Sequence, residues 1–255
     1  MTARLLLSRF QNLSRCNKAM ATTVSLPIIG IIPSMDDGTV ISAGGPGVQR
    51  VYIRRDYLHA FAQVGAVPLI LSPEMSIEHV LELCNGIVIS GGDDIDPRLY
   101  NEQPIKEIRN IEPVERFEWE KRIIDACDEH KMPILGICYG LQRLNIHYGG
   151  SLVQDIDREF GENVGHDSVE HEVFFEKNFL GIEAGATRMV ASRHHQALGR
   201  LGRGVDVCAT TKDGIVEAAK VGERHFGMQW HPESDLTGVH MYRAFVERVV
   251  IPEEP

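Results

Sequence analysis

Short runs of apolar residues alternate along the first half of the chain with segments in which apolar residues recur every three or four positions. The short runs are typical of buried β-strands, and the periodic segments are typical of amphipathic helices. Apolar strands separated by helices indicate a parallel sheet covered on both faces. The predicted strands are Ile28–Pro33, Val67–Leu71, Gly86–Ser90 and Pro133–Ile137, and the predicted helices are Val51–Val64, Ile77–Leu83, Val114–His130 and Leu141–Tyr148.

In the second half, predicted strands follow one another with short connections. Val205–Thr211 and Ile215–Lys220 flank Lys212-Asp213-Gly214, which is typical of a β-hairpin. The pattern as a whole predicts one α/β domain of three layers (α/β/α), with a mostly parallel sheet and antiparallel additions in the C-terminal half. The remaining predicted elements are the strands Thr187–Val190 and His225–Gln229 and the closing helix Asp235–Val250.

The charge balance excludes two classes of partner. The chain has 255 residues with 26 basic and 36 acidic side chains, which gives a formal net charge of −10. Proteins that bind nucleic acids or anionic membranes usually carry a basic surface, so neither partner is expected. The apolar runs are also far shorter than the roughly 20 residues that span a bilayer. The expected partner is a small-molecule substrate, and the formation of a homodimer is left open.

The first 23 residues differ in composition from the rest of the chain. They contain three arginines and one lysine but no acidic residue, which is typical of an organellar transit peptide. A disordered tail, or translation that begins in effect at Met20, would account for the same composition. We therefore predict an N-terminal extension over residues 1–24 and a folded domain over residues 25–251. The expected location is the cytoplasm, with an organelle as the alternative if the extension directs import.

The cysteines indicate a reducing compartment. There are five, an odd number, and no two form a Cys-x-x-Cys pair. A disulfide framework or a cysteine-rich zinc site is therefore not expected. His166 and His171, with Glu170 beside them, lack the spacing of a zinc-binding helix motif, so we predict no metal and no cofactor.

One of these cysteines lies in a segment that suggests a nucleophile. Gly136-Ile137-Cys138-Tyr139-Gly140 follows a predicted strand and precedes a predicted helix. A nucleophile flanked by glycines at a strand-to-helix junction is the nucleophile-elbow arrangement. The thiol would then lie at a helix N-terminus, where the helix dipole favours the thiolate. A buried structural cysteine in a glycine-rich turn is the alternative interpretation.

Two further segments carry groups that a cysteine nucleophile needs. His231 follows the strand His225–Gln229 and could act as general acid and base, while Glu233 could orient its ring. Gly91-Gly92-Asp93 follows another strand, at the edge of the sheet where α/β proteins bind ligands. Its backbone N–H groups could stabilise an oxyanion. Each segment alone is a common surface feature, and it is their combination with Cys138 that indicates an enzyme.

At these three segments the chain resembles the class I glutamine amidotransferase-like superfamily. It is most similar to the γ-glutamyl-γ-aminobutyrate hydrolases, a group of C26-type γ-glutamyl peptidases. The resemblance covers about Ser25 to Val250 and implies a flavodoxin-like fold. It includes the family order of a cysteine elbow followed by His-x-Glu. The other matching segments are Gly136–Asn145, Gly149–Leu152, Gly91-Gly92-Asp93 with Pro97 and Tyr100, His171–Val173 and Ser192–Ala197.

The resemblance implies cysteine-dependent hydrolysis of γ-glutamyl amides through a thioester, as in the catabolism of polyamines and γ-aminobutyrate. It assigns Cys138, His231 and Glu233 as a catalytic triad and the backbone amides of Gly92 and Tyr139 as an oxyanion hole. Two other functions stay open: a glutaminase subunit that delivers ammonia to a partner synthetase, and a non-catalytic protein that binds glutamine or γ-glutamyl groups. The expected substrate-binding residues are Gln142, His194, His195 and Gln196.

Overall fold

The computed structural model describes residues 26–38, 47–105, 110–161, 164–167, 169–235 and 238–250, so the predicted extension over residues 1–24 lies outside the described residues. The strands are β1 (Ile28–Ile32), β2 (Ser34–Asp36), β3 (Arg50–Tyr52), β4 (Val67–Ile70), β5 (Gly86–Ile89), β6 (Ile134–Ile137), β7 (Leu152–Val153), β8 (Val169–Phe175), β9 (Thr187–Ser192), β10 (Ala197–Leu198), β11 (Val205–Thr210), β12 (Val216–Val221) and β13 (His225–Met228). The helices are α1 (Arg55–Gln63), α2 (Ile77–Leu83), α3 (Val114–Glu129), α4 (Tyr139–His147), α5 (Ile156–Phe160) and α6 (Gly238–Val250), and Pro97–Tyr100 and Pro232–Ser234 are short 3₁₀ turns.

A nine-stranded sheet forms the centre of the fold, with the strand order β4-β1-β5-β6-β13-β12-β11-β8-β9. The strands from β4 to β13 in this order are parallel to one another. The other four extend the sheet by antiparallel pairing, and the predicted hairpin joins β11 to β12. The predicted α/β fold, with a parallel first half and antiparallel additions, is confirmed.

Side chains from the parallel strands alternate between two apolar cores, one on each face of the sheet. On β1, for example, Ile29 and Ile31 pack with α1 and α6 on one face, whereas Ile32 packs with α2, α3 and α4 on the other. Each isoleucine that is fully removed from water contributes about 1.5–3 kcal/mol of hydrophobic stabilisation. The two cores explain why these strands are apolar at every position, and they give the predicted three layers.

The structure corrects the predicted helix Val51–Val64 at its start. Val51 and Tyr52 belong to β3, which pairs with β2 in a separate small sheet, and α1 begins at Arg55. The two-residue strands β7 and β10 also pair with each other, and both are too short to produce a sequence period. Within the described part of the chain, no helix combines the length and apolar character needed to cross a membrane.

Candidate active site

Cys138 occupies the sharp turn between β6 and α4. Its φ of 53° and ψ of −106° form a positive-φ conformation that residues other than glycine rarely adopt, and such strain often marks functional sites. The turn also brings backbone segments together. A Cβ at Gly136 would lie 2.5 Å from the Gly140 carbonyl carbon, and one at Gly140 would overlap the Ile89 carbonyl oxygen. Both glycines are therefore needed for the turn that places the thiol at the N-terminus of α4.

His231 follows β13 and lies beside Cys138. Its Nδ1 is 2.7 Å from the Oε1 of Glu233, whose side chain is completely buried. Burial lowers the pKa of His231, but the charge and hydrogen bond of Cys138 and the carboxylate of Glu233 outweigh this effect and raise the pKa to about 9. A histidine with a raised pKa next to a cysteine is an arrangement that favours a thiolate.

Gly91 lies against both groups. A Cβ at Gly91 would lie 3.0 Å from Cε1 of His231 and 3.8 Å from Cβ of Cys138. The Gly91 carbonyl accepts a hydrogen bond from Ser34 Oγ at 3.0 Å, while the Ser90 hydroxyl lies 3.2 Å away and has a shorter hydrogen bond, of 2.7 Å, to the Ile32 carbonyl. In the trans peptide that follows, the N–H of Gly92 points away from this carbonyl, and it donates to no acceptor within the described residues. The Ser34 hydrogen bond thereby helps to fix the orientation of the Gly92 N–H.

A buried network of ion pairs contacts Ser34 through Arg116. Arg116 has no exposed side-chain surface, and its guanidinium lies 2.6 Å from Glu112 and 2.8 Å from Glu120. The same guanidinium donates to Ser34 Oγ at 3.1 Å and to the Ser90 carbonyl at 3.0 Å. A buried cation needs such partners, because an unpaired charge in the interior is very costly. The network therefore fixes the hydroxyl that bonds to the Gly91 carbonyl.

Two predicted substrate-binding residues lie in a buried amide network. Gln142 Nε2 donates to the Gln196 carbonyl and to Gln229 Oε1, each at 3.2 Å. Gln229 Nε2 then lies 3.5 Å from the sulfur of Cys138. The side chains of Gln142, Gln196 and Gln229 are almost fully buried, so the network reaches the nucleophile from inside the protein.

The two histidines predicted for the same pocket point in different directions. His195 Nε2 is 2.7 Å from Asp94 Oδ1, which connects it to the Gly-Gly-Asp loop. The ring of His194 instead packs against those of His166 and His171, with centroids 4.9 and 6.3 Å away. Contact of either histidine with a substrate stays a prediction.

Several residues of this site were not identified from the sequence. Arg116 and Glu120 follow Glu112 at intervals of four residues, and Trp119 and Ile123 are buried on the same helix. Charged residues interspersed among these apolar ones were the available signal. Ser34 and Tyr57 gave none, although the Tyr57 hydroxyl accepts a hydrogen bond from the Gly91 N–H at 3.0 Å.

Comparison with known proteins identifies the family. The family model described as peptidase C26 matches residues 27–233. The chain is 33% identical over 214 residues to the glutamine amidotransferase-like protein YvdE of Lactococcus lactis, covering 77% of this chain and 86% of that protein. It is 30% identical over 169 residues to the gamma-glutamyl-CDP-amidate hydrolase of Campylobacter jejuni, covering 66% of this chain and 72% of that protein.

Solved structures agree with the fold. A Thermoplasma acidophilum protein assigned as part of a GMP synthase superposes with a TM-score of 0.60 at 19% identity, covering 88% of this chain and 94% of that one. This likeness concerns the fold alone, whereas the family match spans most of the sequence. The chain therefore belongs to the peptidase C26 family, within the hydrolases and amidotransferases of the glutamine amidotransferase-like class.

Proposed function

We propose that this protein hydrolyses γ-glutamyl amides with Cys138 as nucleophile, His231 as general acid and base, and Glu233 as the residue that orients His231. The observation that carries the proposal is the position of His231, which lies between Cys138 and the buried carboxylate of Glu233, 2.7 Å from its Nδ1. Gly91 lies against both side chains, and the N–H of the following Gly92 has no partner among the described residues. This combination provides a nucleophile, a proton donor and a stabiliser for an oxyanion.

In the first step the Cys138 thiolate attacks the γ-carbonyl carbon, and the C=O electron pair moves onto the oxygen. The N–H groups of Gly92 and Tyr139 stabilise this oxyanion. The Tyr139 N–H is available because the first N–H groups of a helix have no acceptor within it. When the carbonyl re-forms, the C–N bond breaks and the amine takes a proton from His231, which leaves a thioester.

In the second step water attacks the thioester. The neutral His231 accepts a proton from the water, and the C–S bond breaks to regenerate the thiolate and release glutamate. The bond between Nδ1 of His231 and Glu233 keeps Nε2 as the nitrogen that exchanges protons with the substrate. No external oxidant, reductant or cofactor is needed for this sequence.

The choice of a γ-glutamyl amide rests on the family and on one named relative. A C26 relative that is 30% identical carries the name gamma-glutamyl-CDP-amidate hydrolase. Glutamine is itself a γ-glutamyl amide, with ammonia as the leaving group, so a glutaminase would use the same steps. We favour a hydrolase of substituted amides because the Campylobacter jejuni relative is named as such a hydrolase.

The test is turnover by the purified full chain without any partner. Its kcat/KM is measured on γ-glutamyl-γ-aminobutyrate, γ-glutamyl alkylamides and glutamine, with the Cys138→Ala variant as control. We expect turnover of the substituted amides at a kcat/KM at least about tenfold above that for glutamine. Faster turnover of glutamine would favour a glutaminase subunit, and binding without turnover would favour a binding protein.

A further inference from the structure

Four buried side chains meet on the antiparallel side of the sheet. His171 lies on β8, Glu217 on β12, and His166 and His194 in the segments that precede β8 and follow β9. We refer to these four residues as the histidine cluster. Each side chain offers one nitrogen or oxygen atom that lies within 4.8 Å of all the others. Each residue is at most 4% exposed, so water cannot readily satisfy these atoms.

Each histidine has one ring nitrogen that points toward the centre of the cluster and one, the outer nitrogen, that points away. The outer nitrogen has an acceptor in every case. His171 Nδ1 donates to the Gly165 carbonyl at 2.9 Å, and His194 Nδ1 donates to the Gln196 carbonyl at 2.9 Å. A histidine that donates a proton from one ring nitrogen in its neutral form has a lone pair on the other. In both residues that lone pair is on Nε2, which faces the centre of the cluster.

The third histidine is held the other way round. His166 Nε2 lies 3.1 Å from a carboxylate oxygen of Asp213, so its lone pair is on Nδ1. A carbonyl or carboxylate that accepts the proton of the outer nitrogen is the usual support of a metal-binding histidine. All three rings have this support, and all three inward nitrogens lack a hydrogen-bond partner among the described residues, as do both oxygens of Glu217.

The distances fit a tetrahedral ion better than hydrogen bonds. The inward nitrogens of the histidines lie 3.4, 3.3 and 3.4 Å from Glu217 Oε1. These separations exceed the 2.7–3.2 Å of a normal N–H···O hydrogen bond. With bonds of about 2.0–2.1 Å to zinc, two corners of a tetrahedron lie about 3.3–3.4 Å apart. The three nitrogen–oxygen separations have this length, and all four ligand atoms lie within 4.8 Å of one another.

We propose that the histidine cluster binds a zinc ion with three nitrogen ligands and one carboxylate. Four protein ligands and complete burial are typical of a structural zinc site rather than a catalytic one. The ion would also compensate the charge of Glu217, whose side chain has no exposed surface. The proposal departs from the sequence-based prediction of no metal, in which Glu217 and His194 were not considered as ligands.

A zinc ion at this place would join the outer loops to the sheet beside the active site. The Glu217 carbonyl accepts a hydrogen bond from the Gln229 N–H at 2.7 Å, and the Gln229 side chain reaches Cys138. His194 also precedes His195, which bonds to the Gly-Gly-Asp loop through Asp94. His166 and His194 also line a cleft together with Asp157, Asp167 and Arg158.

The experiment measures metal content rather than activity. The full chain is produced in zinc-supplemented medium, its affinity tag is removed, and bound metals are quantified by mass spectrometry. We expect about one zinc per chain in the wild type. His171→Ala and Glu217→Gln should reduce this to below about one tenth of an equivalent, because each leaves three ligands. Asp213→Asn, which weakens the support of His166, should weaken zinc binding by about 10- to 100-fold.

Two control variants separate zinc loss from general damage. His225 is also buried and lies 2.9 Å from a carboxylate oxygen of Asp128, but it is outside the cluster. His225→Asn and Cys138→Ala should both retain zinc. Retention by His171→Ala and Glu217→Gln, or loss in Cys138→Ala, would overturn the proposal.

The wild type alone also provides a test if the cluster variants do not fold. Removal of zinc with a chelator should lower Tm by at least about 10 °C, and Zn²⁺ but not Mg²⁺ should restore it. Replacement by Co²⁺ should give the visible absorption bands of a tetrahedral ion. A wild-type protein without zinc, whose Tm is unchanged by chelator and by added Zn²⁺, would show that the cluster shares protons instead. These readouts do not depend on turnover, so they remain decisive even if the proposed hydrolase activity is absent.

Discussion

Two clusters on neighbouring strands use the same kinds of side chain with different spacing. In the Cys138 cluster, formed by Cys138, His231 and Glu233, the histidine nitrogen lies 2.7 Å from a single carboxylate. In the histidine cluster, three histidine nitrogens lie 3.3 to 3.4 Å from one oxygen of Glu217. The first distance is that of a hydrogen bond. The second is the separation expected between two ligands of one zinc ion.

The difference shows that the second hydrogen bond of a histidine determines its chemistry. In the Cys138 cluster Nδ1 is bonded to a carboxylate and the pKa of His231 is raised to about 9, so the ring carries a proton that it can donate. In the histidine cluster the outer nitrogens face two carbonyls and Asp213, and the inward lone pairs converge. One arrangement suits proton transfer, whereas the other suits metal coordination.

The largest expected effect separates the two clusters completely. Cys138→Ala should lower kcat by at least about 10³-fold, since it removes the nucleophile, and should leave zinc content and Tm almost unchanged. His171→Ala should instead lose its zinc and have a lower Tm, while it keeps the nucleophile Cys138. Parallel measurement of turnover, zinc content and Tm in both variants checks this. Equal loss of zinc in the two variants would contradict the separation.

Labelling with iodoacetamide tests the same nucleophile without mutation. Burial raises the pKa of Cys84 to about 11 and that of Cys127 to about 12, and it also raises the pKa of Cys208. Cys138 instead lies at a helix N-terminus beside His231, whose pKa is raised, so it should be alkylated first at pH 7. Peptide mass spectrometry of briefly treated native protein gives the order. Labelling of Cys84 or Cys127 at the same rate would refute the assignment.

The fold could be predicted largely because each parallel strand of the main sheet carries its own signal. β1, β5 and β6 are apolar on both faces, and α2 has the predicted bounds, with Ser76 as its N-cap. The predicted strand Val67–Leu71 was also found, although it lies at the sheet edge and exposes Val67 and Ile70. β2 and β3 could not be predicted, because three-residue strands depend on the partner with which they pair.

The two sites differ in how much the sequence reveals. The Cys138 cluster comes from two short segments, an elbow and a His-x-Glu, so its members are recognisable in one dimension. The histidine cluster draws one ligand from each of four segments, and Glu217 is one of two charged residues, with Lys220, in an otherwise apolar strand. Sheet pairing brings those segments together, and the sequence does not specify that proximity. The Ser34 contact with Gly91 likewise depends on tertiary structure.

The next prediction concerns the proton that His231 donates. His231→Ala should slow hydrolysis of a γ-glutamyl alkylamide by at least about 10²-fold, because that leaving amine requires a proton. A γ-glutamyl p-nitroanilide has a better leaving group and should be slowed less. The ratio of variant to wild-type kcat/KM is measured on both substrates. If the alkylamide is affected no more than the anilide, His231 is not the general acid, and His195 becomes the next residue to test.

A smaller effect on kcat is expected from a change at Ser34, which holds the peptide group between Gly91 and Gly92. Ser34→Ala removes the 3.0 Å hydrogen bond to the Gly91 carbonyl and lets the following peptide rotate. We expect kcat to fall about tenfold with little change in KM, less than the 10²–10³ lost when an oxyanion donor itself is removed. Ser34→Thr keeps the hydroxyl and should restore much of the rate. Loss of Tm without a change in kcat would mean that Ser34 acts through packing.

The smallest effect on the rate is expected for Glu233→Gln. The same change at Glu217 completes the comparison of the two clusters. Because the pKa of His231 is raised, its proton-donating form dominates below about pH 9 and is lost above it, so kcat/KM for alkylamides should fall as the pH rises through that value. Glu233→Gln keeps a hydrogen-bond acceptor but removes the charge. The alkaline limb should therefore move to lower pH by about one pH unit or more, with a smaller rate loss at pH 7 than in His231→Ala. Glu176→Gln, at an exposed carboxylate bonded to Thr210, should leave the limb unchanged.

In the histidine cluster Glu217→Gln should abolish zinc binding, since a neutral amide is a poor zinc ligand. If Glu233→Gln left the alkaline limb in place, the raised pKa of His231 would depend on Cys138 alone. The charge of Glu233 would then have no part in proton transfer, and the contrast between the two clusters would fail at this residue.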